Sequence, residues 1–147
     1  LVIVGDGPFT EELKEMFPAD GVVFTGMVRG EELARLYASS DIFVFPSETE
    51  TFGNVVVEAQ AAGLPVVVSN RGAAQENVVQ GVTGFVCDTR DAVQTSDYIR
   101  ELLRNRELRN RMGKAAADFA NNRYSMEVAT NKTMATYREI YDTIRCA

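Results

Sequence analysis

Four short apolar runs, each closed by a turn and followed by a helical stretch, constrain this chain more than any other feature. Leu1-Val2-Ile3-Val4 ends at Gly5-Asp6-Gly7-Pro8, and Val22-Val23-Phe24-Thr25 ends at Gly26. Ile42-Phe43-Val44-Phe45 ends at Pro46, and Pro65-Val66-Val67-Val68 at Ser69. Such runs are too short for buried helices and are rich in β-branched residues, so they read as buried strands. The stretches between them carry helical spacing. Thr10–Phe17 has Thr10 as N-cap with Glu11 and Glu12 in its first turn; Glu31–Ser39 sets Leu33, Leu36 and Tyr37 on one face. Gly53–Ala62 is apolar and ends with Gly63 as a C′ residue. A short helix, Ala74–Gln80, and a short strand, Gly84–Cys87, follow.

Continuous apolar strands separated by helices predict an α/β fold, a parallel sheet with helices on both faces and right-handed crossovers. Val2, Ile3, Val23, Phe43, Val44, Val66 and Val67 are all expected in one central sheet. After Asp91 only helices are predicted: Asp91–Arg104, Glu107–Asn121 and Met126–Arg145. The last carries an imperfect apolar stripe of Val128, Met134, Tyr137, Tyr141 and Ile144.

At 147 residues the chain is long enough for one domain with a proper core. Its net charge of −6 repels phosphate backbones and anionic lipid, which argues against nucleic-acid or membrane-surface binding. Only the stretch from Arg104 to Arg111 is mildly basic. With no histidine in the chain, Ser-His-Asp triads and His-ligated metal sites are excluded within it. Two cysteines, Cys87 and Cys146, make neither a metal cage nor a disulfide scaffold, and a reducing, cytoplasmic compartment fits best. No apolar stretch reaches membrane-spanning length. Because the chain opens with Leu1 directly inside a strand, either a leader has been removed or it is a fragment of a longer protein, and the second reading is favoured.

In open parallel sheets the ligand crevice lies at the carboxyl ends of the strands, so the turns after each strand matter most. Gly5-Asp6-Gly7 begins like a dinucleotide fingerprint, but Pro8 and Thr10 break the pattern, and a plain tight turn explains it equally well. The richest segment is Pro46-Ser47-Glu48-Thr49-Glu50-Thr51-Phe52-Gly53-Asn54-Val55-Val56-Val57-Glu58, which leaves a strand and opens a helix. A helix start offers unpaired N–H groups and partial positive charge, suited to phosphate. Gly53 clears the backbone for a ligand, and Glu50 and Glu58 reach one ligand from two sides. A buried Glu58 would need donors such as sugar hydroxyls. From these residues alone the alternative stays open: solvated loop acids at Glu48 and Glu50, and Glu58 sharing an exposed stripe with Asn54. No Asp-x-Asp pair or Walker A sequence is present.

The pattern strand–Pro-Ser-x-x-Glu-x-Phe-Gly, four residues, then Glu-Ala-x-Ala-x-Gly-x-Pro-Val-Val resembles the donor-site signature of GT-B retaining glycosyltransferases of the group 1, family 4 type. Val4-Gly5-Asp6-Gly7-Pro8, Val23-Phe24-Thr25-Gly26, Tyr37-Ala38-Ser39-Ser40-Asp41 and Gly81-Val82-Thr83-Gly84-Phe85 match in order and spacing, so the resemblance spans nearly the whole chain. The sulfolipid-synthase and mannosyltransferase branches look nearest. The resemblance implies the Rossmann-like, C-terminal, nucleotide-sugar-binding half of a GT-B fold. It implies that Glu50 sits against the donor sugar at the reaction centre and that Glu58 binds the ribose hydroxyls. Thr51, Phe52, Gly53 and Asn54 would hold sugar hydroxyls and phosphate through backbone amides, with Val55 beside them. Gly26, Met27 and Val28 would cradle the base, and Gly5 and Gly7 would turn at the phosphate end.

The resemblance further implies a nucleoside-diphosphate sugar as donor, no metal ion and no other cofactor. The resemblance places the family's diphosphate-clamping Arg and Lys upstream, after a strand and helix that this sequence is expected to lack, as it is expected to lack the acceptor domain. The isolated chain is therefore expected to be inactive while the parent transfers a sugar to a saccharide or lipid acceptor with retention. A GT-B sugar-nucleotide epimerase (disfavoured by the missing histidine), a non-catalytic nucleotide-sugar module and a structural interaction domain are the rivals. Apolar surface around the first strands and on the last helix is expected to lack cover, which favours self-association of the isolated chain.

Overall fold

The computed structural model describes residues 1–17 and 21–145, which puts Cys146, and any disulfide through it, outside the described residues. The chain divides into two compact units, Leu1–Ser39 and Ser40–Ala147.

The first unit contains β1 (Val2–Val4), α1 (Thr10–Met16), β2 (Val23–Gly26) and α2 (Gly30–Ala38). β1 and β2 pair in parallel, Val2 beside Val23 and Ile3 beside Phe24, with a shift in register before Val4. Thr10 is the first helical residue rather than the N-cap. Its Oγ1 instead donates to the Asp6 carboxylate at 2.9 Å and accepts from the Gly7 N–H at 3.0 Å, tying the helix start to the preceding turn. The apolar side chains of this ladder stay open: Leu1, Val2, Val4 and Val23 are all exposed.

The second unit contains β3 (Phe43–Phe45), α3 (Asn54–Ala61), β4 (Val66–Ser69), a 3-10 turn (Ala73–Asn77), β5 (Gly84–Cys87), α4 (Ala92–Arg104), α5 (Arg106–Tyr124) and α6 (Met126–Arg145). The strands pair in parallel in the order β3-β4-β5. β4 is central, and all four of its residues are buried. Val67 packs with Phe85, Cys87, Leu102, Leu108 and Met112 below α4 and α5. The two-residue period sends Val66 and Val68 to the opposite face, where α3 and the 3-10 turn pack. This is the parallel α/β arrangement expected of the strand pattern. The single sheet through all the strands is not formed: β1 bonds β2 and β3 bonds β4, and among the described strands only β4 has ladder partners on both edges.

The caps explain most helix ends. Asp91, expected as the first helical residue, is the N-cap of α4 and accepts from the Val93 and Gln94 N–H groups at 3.0 Å each. Asn105 accepts from the Leu108 N–H, which starts α5 one residue earlier than expected. Gly63 donates to the Gln60 carbonyl at 2.8 Å, in its expected place after α3. The predicted helix Ala74–Gln80 is shorter, a 3-10 turn that stops where Val78 becomes extended. Along α6, Met134, Tyr137, Ile140, Tyr141 and Ile144 are exposed, so the apolar stripe of the last helix is uncovered.

Hydrogen exchange checks this distribution of order. The β4 amides are expected to exchange slowest, those of β3 and β5 next, and those of β1 and β2 fastest among the strands. Equal protection in β1 and β4 contradicts it.

Candidate functional site

Residues assigned to the donor site fall in both units. In Leu1–Ser39, the ends of β1 and β2 bring Gly5 and Gly26 together, the Gly5 N–H donating to the Gly26 carbonyl at 2.8 Å. The Gly7 N–H donates to Asp6 Oδ1 at 2.8 Å, so this turn closes on itself. Met27 is exposed and Val28 is buried.

In Ser40–Ala147, the loop from Pro46 to Gly53 joins the carboxyl end of β3 to the start of α3, and it is braced at three points. Glu48 is not a free loop acid: its carboxylate accepts from Arg90 Nε at 3.0 Å and Arg90 Nη2 at 2.7 Å, with Arg71 Nε 3.6 Å away. The hydrogen bonds to Glu48, reinforced by its charge, hold the Arg90 guanidinium above its ordinary pKa. The Glu50 carbonyl accepts from the Ala73 N–H at 3.0 Å. The Phe52 carbonyl accepts from Asn77 Nδ2 at 2.5 Å. Glu50 itself is partly buried.

Gly53 has φ +82°, a left-handed conformation that ordinary side chains rarely adopt. A Cβ there would lie 3.0 Å from the Ala74 Cα, so the close neighbour that glycine admits is the 3-10 turn. From Gly53 the chain enters α3, whose Val56, Ala59 and Gln60 are buried. Asn54 and Glu58, one turn apart, are exposed together with Thr51 and Phe52. The condition attached to Glu58, that burial would demand donors, therefore does not arise. Of the apolar residues around it in sequence, Val56 and Ala59 are buried, Val55 and Val57 are half-buried and Ala61 and Ala62 are exposed, and Glu58 stands on the accessible face of α3. Among the described residues the N–H groups of Gly53 and Asn54 have no acceptor. The start of α3 thus has two unpartnered backbone donors, on buried Gly53 and exposed Asn54, with the Glu58 backbone roughly 6 Å further along the helix axis.

A cavity of about 400 Å³ adjoins this loop. Thr51 and Phe52 line it together with Glu76, Asn77, Arg123, Tyr124 and Lys132, while Glu50 and Glu58 are not in its lining. Arg123 lies 5.5 Å over the rings of both Phe119 and Tyr124. None of these additional residues was singled out by sequence reasoning. Arg123, Tyr124 and Lys132 lie on the late helices and Asn77 on a short polar stretch, with no motif to mark them.

The family Glycosyl transferases group 1 matches residues 1–119. The chain is 41% identical over 135 residues to "Sulfoquinovosyl transferase SQD2" of Arabidopsis thaliana, covering 90% of this chain and 26% of that protein. It is 39% identical over 130 residues to the "GDP-mannose-dependent alpha-(1-6)-phosphatidylinositol monomannoside mannosyltransferase" of Mycobacterium tuberculosis, covering 81% of this chain and 34% of that one. Among solved structures, Anabaena Alr3699/HepE in complex with UDP-glucose superposes with a TM-score of 0.77 at 28% identity, over 94% of this chain and 40% of that one. The chain spans about a quarter to a third of the length of these curated relatives. With the α/β fold, the braced loop and the open start of α3 in place, this match over most of the sequence shows that the chain belongs to the group 1 glycosyltransferases.

Proposed function

We propose that residues 1–147 form the donor-binding domain of a longer, cytoplasmic family 4 enzyme that moves a sugar from a nucleoside-diphosphate sugar to an acceptor with retention of configuration. The observation that carries this reading is the accessible face of α3. Unpartnered N–H groups on buried Gly53 and exposed Asn54 suit the diphosphate and sugar hydroxyls, and Glu58 suits the ribose hydroxyls, a charge-assisted bond. Glu50, at the end of the braced loop, is assigned to the donor sugar, where a carboxylate stabilises positive charge developing at the anomeric carbon. Gly5, Gly7, Gly26, Met27 and Val28 are assigned to the phosphate turn and the base. The relatives support a nucleotide-sugar donor: HepE was solved with UDP-glucose, and the mycobacterial relative is named for GDP-mannose.

In this reading the leaving diphosphate is neutralised by cationic side chains outside residues 1–147 rather than by a metal ion, in keeping with the lack of an Asp-x-Asp pair. The acceptor, a saccharide or lipid, is assigned to a further domain. No helix of the described residues is long and apolar enough to cross a membrane. Among the described residues, the one free cysteine, Cys87, is buried in the core, compatible with a reducing compartment.

The anomeric configuration of the product tests the reading. With the parent protein and its donor, proton NMR of the first product formed is expected to show the same anomeric configuration as the donor. An inverted product refutes retention, and the absence of transfer from UDP-, GDP- and ADP-sugars alike refutes the activity.

A further inference from the structure

The buried amide of Asn77 belongs to no motif, yet its bonds converge on the donor loop. Asn77 is 2% exposed. Its Nδ2 donates to the Phe52 carbonyl at 2.5 Å, and its Oδ1 accepts from the Tyr124 hydroxyl at 2.5 Å. Its own backbone carbonyl accepts from Gln60 Nε2, a buried side chain of α3, at 3.0 Å. The side-chain amide is thereby fixed from α5 and the backbone of the same residue from α3, and Oδ1 and Nδ2 have only one assignment that satisfies both side-chain bonds. Tyr124 also meets the Phe52 ring edge to face, with centroids 5.6 Å apart. A buried polar group is thus committed to the carbonyl of an exposed loop residue.

That carbonyl shares its peptide plane with the Gly53 N–H. In a trans peptide the C=O and N–H point in opposite directions. Holding the Phe52 oxygen toward the buried Asn77 therefore turns the Gly53 N–H away from it, to the side of the loop where it has no acceptor among the described residues. At φ +82° Gly53 is the hinge of this turn, and a freed Phe52 peptide would be able to rotate.

We propose that Asn77, locked by Tyr124, is a positioning residue that aims the Gly53 N–H at the donor's phosphate or sugar oxygens. The inference rests on the donor-binding reading above. An amide that meets charge growing in the transition state moves kcat more than KM when it is misaimed.

The test uses Asn77→Asp and Tyr124→Phe in the parent protein, with UDP-glucose and GDP-mannose turnover, melting temperature, and the Phe52 carbonyl and Gly53 amide resonances as readouts. Asn77→Asp keeps an acceptor for Tyr124 and loses the donor to Phe52. It is expected to lower kcat at least tenfold with KM within about twofold, and to shift both resonances. Tyr124→Phe, which adds no buried charge and keeps the bond to Phe52, is expected to lower kcat roughly two- to fivefold with the fold intact. Unchanged Phe52 and Gly53 resonances in both variants overturn the proposal. So does unchanged kcat in folded variants, or a loss of kcat and melting temperature without the split from KM. A wild type that turns over no UDP-, GDP- or ADP-sugar, with resonances that still shift in the variants, overturns the donor reading and the kinetic role with it. In that case the Asn77 brace itself stands.

Discussion

Glu50→Gln in the parent protein is expected to lower turnover about 10²–10³-fold, while donor affinity changes by less than about threefold. The substitution keeps the shape of the side chain and an oxygen acceptor and removes the charge. In the assigned role, that charge faces a sugar that becomes cationic as the diphosphate leaves, so its contribution grows between ground state and transition state. The braces of the loop make the comparison clean. Glu48 is held by Arg90, the Glu50 carbonyl by Ala73 and the Phe52 carbonyl by Asn77, and none of these bonds uses the Glu50 carboxylate. Steady-state kinetics and donor titration on the same preparations decide the point. Equal, small changes in turnover and affinity remove Glu50 from the reaction centre.

Gly113→Ala carries the largest expected effect on stability. Gly113 lies on the buried face of α5 with Leu108, Met112, Ala116 and Ala120. A Cβ at this position would stand 2.2 Å from the Gly63 carbonyl oxygen, which is backbone at the end of α3 and has no rotamer to escape by. The helices must separate or tilt, which opens the contact of α5 with α3 and disturbs Met112 in the core beside Val67. The expected loss is about 3 kcal/mol or more, against the small gain in helix propensity from replacing glycine. Gly7→Ala is the control, because nothing lies within 4 Å of the added atom and φ is not in the left-handed range. Denaturant unfolding should show a lower midpoint with an unchanged slope for Gly113→Ala and a midpoint near wild type for Gly7→Ala. Near-equal midpoints contradict the packing described for α5.

Much of this architecture was legible in the sequence because local chemistry and tertiary demand agree. Pro65–Val68 reads as a buried strand, and the buried strand forms one residue along, at Val66–Ser69, with both faces covered. The helix read as Asp91–Arg104 forms as Ala92–Arg104, with Asp91 as its N-cap rather than its first residue, because its carboxylate reaches the next N–H groups without help from elsewhere. Met126–Arg145 follows its helical pattern to both ends. The failures occur where the outcome depends on distant neighbours. Leu1–Val4 has the composition of a buried strand, yet burial is a property of what packs on it, and β1 remains open. Thr10 has a good capping side chain, but Asp6 and Gly7 claim its hydroxyl.

The candidate site divides in the same way. Glu50, Glu58 and the turn at Gly53 stand out by type and spacing. What fixes the loop does not: Arg90 lies 42 residues from Glu48, and Asn77 lies 25 residues from Phe52. Glu58, set among valines and alanines, suggests burial, but a helix of mixed faces hides its apolar side and exposes Glu58 with Asn54.

The most direct test of a nucleotide-sugar donor site is calorimetric titration of wild type and Glu58→Ala with UDP, GDP and ADP. At least one nucleotide is expected to bind wild type one to one. Glu58→Ala is expected to weaken it by about 1.5–3 kcal/mol, a rise in Kd of roughly 10–150-fold, through loss of a charge-assisted bond to ribose. Folded protein that binds none of the three, or that binds one equally well without the Glu58 carboxylate, contradicts the account.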